Sequence, residues 1–226
     1  MKAISKLKDE ARRFEQQEQW DKAINAYLQV LQVSEAGEAE LELPLYNRIG
    51  DLYVRLGRAS DAVTYYEQAA ERYADAGLFN NAIALCNKAL RYRPDHLQLM
   101  RSLGRYSLQQ GFISDATHYY LGYAEKQFAA GDVDDAFAAL DEFAETSNDP
   151  EIRELLGRRL QALGRGDRAA KELEKAWHLR RAAGQEAAAA AVLDEIRAID
   201  VNTALLLEQA TLEPDPFATV DAPAAD

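Results

Sequence analysis

Cysteine, net positive charge and long apolar runs are all scarce in this 226-residue chain. A single cysteine excludes a disulfide framework and a thiolate zinc site, and fits a reducing compartment. With 26 basic and 38 acidic residues the formal charge is −12, which disfavours nucleic acid or anionic lipid as a partner. No apolar run approaches the roughly 18 residues of a membrane span, and the N-terminus lacks a secretion signal. We therefore expect a cytoplasmic protein that binds no nucleic acid and inserts into no membrane.

Glycine is also sparse, yet nine of the twelve glycines recur in a fixed pattern. Three sets share internal gaps of 7 and 20 residues: Gly50, Gly57, Gly77; Gly104, Gly111, Gly131; and Gly157, Gly164, Gly184. The sets are offset by 54 and then 53 positions. An alanine follows the second and third glycine of each set by five residues, and a proline precedes each set. Agreement among three residue types indicates a tandem repeat.

Each repeat is interpreted as three helices. In the first repeat, apolar side chains recur at three- and four-residue intervals over 44–57, 59–76 and 79–93. Gly57 is typical of a residue just past a helix end, and Ser60 and Asp61 are candidate N-caps for the second helix. Sustained period-2 alternation and hairpin turns are absent, so the sequence predicts an all-α fold.

The repeats divide the chain into segments. We predict a helical solenoid over 1–212, with an N-terminal helix pair (4–34), three-helix repeats (44–93, 94–149 and 150–200) and a capping helix (201–212). The connector 34–43 is acidic, and the sequence leaves open whether it is a loop or an extension of the next helix. Residues 213–226 hold three prolines and no basic residue, which predicts a disordered acidic tail.

The stretch NRIGDLYVRLGRASDAVTYYEQAAERY resembles a tetratricopeptide repeat. The residues that match the family motif are Tyr46, Ile49, Gly50, Tyr53, Ala62, Tyr66 and Ala69. Three further stretches resemble the second helix of such a repeat: EQWDKAINAYLQVL, FNNAIALCNKALRYRPD and DVDDAFAALDEFAE. The resemblance covers about 4–212 and implies a right-handed α-solenoid of eleven or twelve antiparallel helices.

The spacing departs from that family in one respect. A tetratricopeptide repeat is a helix pair, whereas the alanine markers here alternate between gaps of 20 and of 33 or 34 residues. A gap of 20 leaves no room for a separate helix pair. We therefore interpret 59–76 as one long helix that serves as the second helix of one repeat and the first of the next. Gly50, Gly104 and Gly157 would let neighbouring helices approach closely.

The resemblance also implies a function, which is binding of a partner peptide or helix in a concave groove lined by first helices. The groove positions, carried over from the family, are Asn47, Asp51, Arg101, Arg105, Glu154 and Arg158. The arginines could pair with carboxylates of an acidic partner segment, or they could form ion pairs within and between helices. Asp51 and the missing lysine argue against a chaperone C-terminal carboxylate as the ligand.

Residues suited to catalysis or metal binding are few. The three histidines fall in different helices without cysteine or glutamate at metal-ligand spacing, and Cys86 lies at a family core position. Tyr106 and Tyr119 are candidate contact residues in the groove. We predict a non-catalytic interaction scaffold without metal or cofactor. The alternative is a structural subunit that joins a larger assembly through its ends or convex face.

Overall fold

The computed structural model describes residues 2–34 and 42–212, and these are helical almost throughout. Its helices are α1 (Lys2–Gln16), α2 (Trp20–Val33), α3 (Leu43–Arg55), α4 (Ala59–Asp75), α5 (Phe79–Leu90), α6 (Leu97–Gln109), α7 (Ile113–Ala130), α8 (Val133–Ser147), α9 (Pro150–Ala162), α10 (Gly166–Ala182), α11 (Glu186–Ile199) and α12 (Val201–Leu212). Within these described ranges no strand occurs, which confirms the predicted all-α solenoid class. The predicted acidic tail and most of the connector lie outside the described residues.

The chain divides into two compact units, Met1–Ala139 and Leu140–Asp226. In the N-terminal unit, α4 packs against both α3 and α5, and in the C-terminal unit α10 packs against both α9 and α11. These middle helices have 17 residues each, whereas α3 and α9 have 13. Each middle helix therefore supplies apolar surface to two neighbours, as the alanine spacing predicts.

The glycines of the repeat have two structural roles. Gly50 in α3 and Gly104 in α6 each face a tyrosine ring of the next helix. A Cβ on Gly50 would overlap the ring of Tyr66, and one on Gly104 would lie 2.7 Å from Tyr120 Cδ2. Helices therefore approach closely at the predicted positions. The second and third glycines of each set end helices with positive φ, as at Gly131 with 84°.

The start of α4 differs from the predicted one. Arg58, not Ser60 or Asp61, occupies the N-cap position, and it makes no side-chain cap hydrogen bond. The turn after Gly57 is so short that the Arg58 carbonyl already accepts the first helical bond, from the Ala62 amide at 3.1 Å. Asp61 lies in the first turn and accepts from Arg58 Nε at 2.7 Å. The prediction of Ser60 and Asp61 as caps was wrong for this reason.

The last helix, α12, is apolar on both sides. Ala204 and Leu207 pack into a core cluster with Val192 and Ile196 of α11. On other sides of the same helix Val201, Leu205 and Leu206 are exposed. Among the described helices, none is long and apolar enough to cross a membrane.

Candidate functional site

The N-terminal unit contains an open cavity of about 660 Å³ bounded by α1, α2 and α3. We call it the first cavity. Its wall carries three guanidinium groups and two carboxylates, those of Arg12, Arg48, Arg55, Glu15 and Asp51. The lining is therefore net positive, although the formal charge of the chain is −12.

Arg48 joins α3 to α1 through a two-point ion pair. Its Nε donates to Glu15 Oε1 at 2.9 Å, and its Nη2 donates to the second carboxylate oxygen. Burial raises the pKa of Glu15, but hydrogen bonds from Arg48 and Tyr27 outweigh burial and leave that pKa below its usual value. Burial, together with the hydrogen bond to Glu15, raises the pKa of Tyr27 to about 12. The Arg48 guanidinium thus binds Glu15 and holds α1 against α3.

The other two arginines are less constrained. The Arg55 guanidinium lies 4.9 Å from the ring centroid of Trp20, a cation–π geometry that leaves its planar edge able to donate. Arg12 pairs at 3.3 Å with Asp9 of its own helix, and both side chains are about two-thirds exposed, at 66% and 67%. Exposed pairs of this kind contribute little stability. Arg12 and Arg55 are therefore the cationic groups of this cavity best placed to bind an added carboxylate.

The predicted groove residues Asn47 and Asp51 line the same cavity. Lys88 of α5 donates to Asn47 Oδ1 at 2.9 Å and also donates to Asp51. The Tyr66 hydroxyl donates to Asp51 at 2.7 Å, and burial followed by this hydrogen bond raises the pKa of Tyr66. Asn47 and Asp51 therefore bind side chains of the two following helices.

The predicted groove residue Arg101 lies in α6. Its Nη1 donates to Asp135 Oδ1 at 3.4 Å, and its guanidinium lies 5.7 Å from the ring centroid of Tyr123. The Tyr123 hydroxyl donates to the same carboxylate, and this hydrogen bond is the main cause that lowers the pKa of Asp135. Arg101 thus belongs to a polar cluster between α6, α7 and α8.

Arg158 lies in the C-terminal unit, in α9. Its Nε and Nη2 donate to the two oxygens of Glu195 at 2.9 and 2.7 Å, and Nη2 also reaches Glu154 at 3.2 Å. The partners Arg158 and Glu195 are 37 residues apart, the same separation as Asp51 and Lys88. The first and third helices of two repeats are therefore joined by equivalent ion pairs with the charges exchanged.

A second cavity, of about 440 Å³, is bounded by α4, α5 and α6 of the N-terminal unit. Glu71, Asp75 and the predicted groove residue Arg105 lie on its wall. Phe79 and Tyr106 add aromatic surface, with ring centroids 6.2 Å apart. Tyr106 is largely buried in this position, whereas Tyr119, the other tyrosine singled out, donates to Asn87 at 3.1 Å elsewhere.

The two cavities occupy equivalent positions in successive helix triplets. Three lining positions recur 59 residues later: Arg12 as Glu71, Gln16 as Asp75, and Trp20 as Phe79. Two more recur 54 residues later: Asp51 as Arg105, and Arg55 as Gln109. Helices α1, α2 and α3 therefore correspond to α4, α5 and α6. Sequence reasoning missed this pairing because it treated 4–34 as separate from the repeats; the 59-residue offset was the signal that could have revealed it.

Cys86 lies outside the lining of both cavities. Cys86 is buried, and burial raises the pKa of its thiol to about 12, so it stays protonated at neutral pH. In residues 2–34 and 42–212 no group of three or more His, Cys, Asp or Glu side chains is placed to hold a metal ion.

Comparison with known proteins identifies the repeat. A family model described as a tetratricopeptide repeat matches residues 14–75. A search of curated proteins finds no match. Among solved structures, the chain is similar to a tetratricopeptide repeat protein from Parabacteroides merdae at 15% identity, over 93% of this chain and 98% of that one, with a TM-score of 0.27.

Two other solved structures give a similar result. A kinesin light chain protein from Podosopora anserina, with nearly identical TPR-like repeats, is 20% identical over 88% of this chain and 96% of that one, with a TM-score of 0.37. The TPR2AB domain of yeast Sti1, solved in a pHSP90 complex, is 15% identical over 92% and 95% of the two chains, with a TM-score of 0.29.

The family match runs from Phe14 in α1 to Asp75, the last residue of α4. Within it, these motif residues are buried in α3 and α4: Tyr46, Ile49, Gly50, Ala62, Tyr66 and Ala69. Residues 14–75 of this chain therefore match the tetratricopeptide repeat family.

Proposed function

We propose that this protein is a non-catalytic interaction module that binds an extended acidic segment of a partner protein in the first cavity. Tetratricopeptide repeat proteins generally bind proteins and are generally non-catalytic, which supports the class of function. The observation that carries the finer proposal is the net positive lining of this cavity in a strongly acidic chain. A cytoplasmic location is part of the same proposal.

The acidic nature of the partner follows from the two less constrained arginines. Arg55, stacked on Trp20, can donate two parallel hydrogen bonds to one carboxylate. Arg12 can exchange its exposed contact with Asp9 for a partner carboxylate at little cost. The rest of the protein repels acidic ligands at long range, so binding of an acidic segment here depends on short-range contacts with these two arginines.

The groove predicted through Arg101, Arg105 and Arg158 stays a prediction. To bind a partner carboxylate, Arg101 would have to divide its hydrogen bonds between that carboxylate and Asp135. Arg158 would have to give up its two-point contact with Glu195. Each exchange offsets part of the energy gained from the new ion pair. For this reason we place the acidic ligand at the first cavity, whose lining includes Asn47 and Asp51.

Peptide selection on the full-length protein tests this proposal. Twelve-residue random peptides displayed on phage are enriched on the immobilised chain, and the best ones are synthesised with fluorescein for anisotropy titrations. The double variant R12Q/R55Q should bind them at least about tenfold more weakly, since each lost charge-assisted hydrogen bond is worth about 1.5–3 kcal/mol. The matched control R13Q/R91Q, which removes two exposed arginines outside both cavities, should bind like the parent. Equal affinities for all three proteins would refute the site.

A structural subunit is the second candidate function, and the exposed apolar side chains of α12 favour it. If α12 docks on another subunit, size-exclusion chromatography with light scattering should show an oligomer that L205S/L206S dissociates. A monomer at every concentration tested would speak against self-assembly through this helix.

A further inference from the structure

We infer that the first cavity selects a segment in which two acidic residues lie four positions apart. This inference rests on the proposed function, because it assumes that Arg12 and Arg55 both bind carboxylates of one extended segment. It adds a spacing requirement, which distinguishes the partner segment from acidic segments in general.

The alignment of α1 with α3 is given by two ion pairs. Lys8 of α1 donates to Glu42, the residue before α3. Arg48 of α3 donates to Glu15 of α1. The paired residues are 34 and 33 positions apart in the sequence. The two helices therefore run parallel, and each residue of α1 lies level with the residue of α3 that follows it by 33 or 34 positions.

This alignment places the two arginines at opposite ends of the first cavity. Arg12 is level with Leu45 at the start of α3, and both residues line the cavity. Arg55 is the last residue of α3, and its guanidinium lies against the ring of Trp20. Leu45 and Arg55 are ten residues apart, which corresponds to about 15 Å along the helix axis. The two guanidinium groups are therefore suited to two separate carboxylates.

An extended segment with acidic residues at positions i and i+4 matches this separation. A strand rises about 3.3 Å per residue, so four residues span about 13 Å. Its side chains alternate between two faces, so residues four apart project from the same face, whereas residues three or five apart project from opposite faces. The exposed side chain of Arg12 can turn to close the remaining difference of about 2 Å.

The wall between the two ends disfavours a third acidic residue. Arg48 already binds both oxygens of Glu15, and Asp51 adds a carboxylate one turn further along α3. An acidic residue at i+2 projects from the same face as i and i+4, so it would meet a paired cation and a like charge. We therefore expect an uncharged residue at i+2 in the partner segment.

Synthetic peptides of equal composition test the spacing. In the best selected peptide all acidic residues are changed to glutamine, and two aspartates are then placed two, four, six or eight positions apart. The peptides share the same net charge, so differences in their affinity for the full-length protein report the spacing alone. The peptide with spacing four should bind at least about tenfold more tightly than the peptide with spacing eight, because only the former contacts both arginines.

Single variants assign the spacing to the two arginines. On R12Q or R55Q, spacings four and eight should give equal affinities, because one of the two cations has been removed. The matched control R13Q removes an exposed arginine of α1 that is outside the cavity lining, and it should keep the preference for spacing four. A third aspartate at i+2 should weaken binding of the spacing-four peptide to the parent by at least about threefold.

The outcomes separate this inference from the proposed function. Equal affinities at every spacing, or tightest binding at a spacing other than four, would overturn the inference. If R12Q/R55Q weakens binding of all these peptides equally, the proposed function stands without it. If neither the spacing nor R12Q/R55Q changes the affinity, the proposed function is wrong as well. Circular dichroism melts of R12Q and R55Q should match the parent, since both side chains are exposed, so that a loss of binding is not a loss of folding.

Discussion

The N-terminal and C-terminal units follow the same glycine spacing but fill it with different chemistry. Beside Gly50 and Gly104 the next helix inserts a tyrosine, whereas beside Gly157 it inserts Leu173, whose Cγ would lie 2.7 Å from an added Cβ. All eleven tyrosines precede residue 124, so the C-terminal unit has none. A tyrosine in this place brings a hydroxyl to a neighbouring carboxylate, as Tyr66 does with Asp51, while a leucine brings only apolar surface.

The C-terminal unit obtains its polar contacts from ion pairs instead. The buried guanidinium of Arg153 donates to Glu172 at 2.7 Å and to Glu145 at 2.9 Å, and Lys175 contacts both of these glutamates. Arg180 similarly donates to Glu154 at 2.9 Å. Carboxylates paired in this way have little capacity for a ligand. The comparison teaches that the same repeat spacing can join its helices through tyrosine hydroxyls in one unit and through buried ion pairs in the other.

The largest expected effect is the loss of the buried ion pair. Arg153→Met should lower the free energy of unfolding by about 3 kcal/mol, because Glu172 loses its main buried partner. The double variant R153M/E172L should recover most of that loss, since a buried ion pair can often be replaced by apolar side chains. Denaturant unfolding of the parent, both single variants and the double variant measures the coupling. Additive effects would mean that the pair does not act as a unit.

An intermediate effect is expected at the glycine–tyrosine contact of the N-terminal unit. Gly50→Ala should destabilise the protein by about 2 kcal/mol, because the new methyl group overlaps the buried ring of Tyr66. Gly122→Ala is the matched control. Its nearest neighbour would be the flexible end of Met100 at 3.0 Å, so the higher helix propensity of alanine should leave stability unchanged or raise it. Thermal melts followed by circular dichroism compare the two, and equal melting temperatures would contradict the close-approach account.

The smallest expected effect is in acid and belongs to the C-terminal unit. Hydrogen bonds from Arg153 and then Lys175 lower the pKa of Glu145 to about 2. Its usual value in an unfolded chain is about 4.3, so its contribution to stability is complete above that pH and is lost as the pH falls towards 2. Glu145→Gln should therefore flatten the fall of melting temperature between those two values, while Glu125→Gln should not. If the melting temperature of E145Q falls with acid as steeply as that of the parent, the exposed ion pairs of Glu145 contribute negligibly to stability.

The features that sequence could predict are those with a local cause. Glycines such as Gly57 and Gly131 end helices because their backbone is left-handed. The spacing of these glycines alone indicates where the helices end. The close approaches at Gly50 and Gly104 also follow from the absence of a side chain. The helical class followed from the apolar periodicity, and the burial of Cys86 followed from its place at a core position of the family motif.

The cavities could not be predicted in the same way, because they depend on which side chains converge from helices distant in sequence. The equivalence of α1 and α2 with α4 and α5 was hidden for a particular reason. The position that corresponds to Gly77 is Glu18, a non-glycine residue that nevertheless adopts positive φ, at 56°. A repeat recognised by its glycines alone therefore leaves out the first helix pair, α1 and α2. The pairing of Arg158 with Glu195, 37 residues away, likewise requires the packed structure.

Hydrogen–deuterium exchange of the full-length protein with a selected peptide tests the central claim most directly. We predict slower exchange on peptide binding in α1 and α3, the helices that supply the charged wall of the first cavity, and no change in α9 to α12. Slower exchange confined to α9–α12 would contradict the proposed site, because it would place the ligand in the C-terminal unit, outside the first cavity.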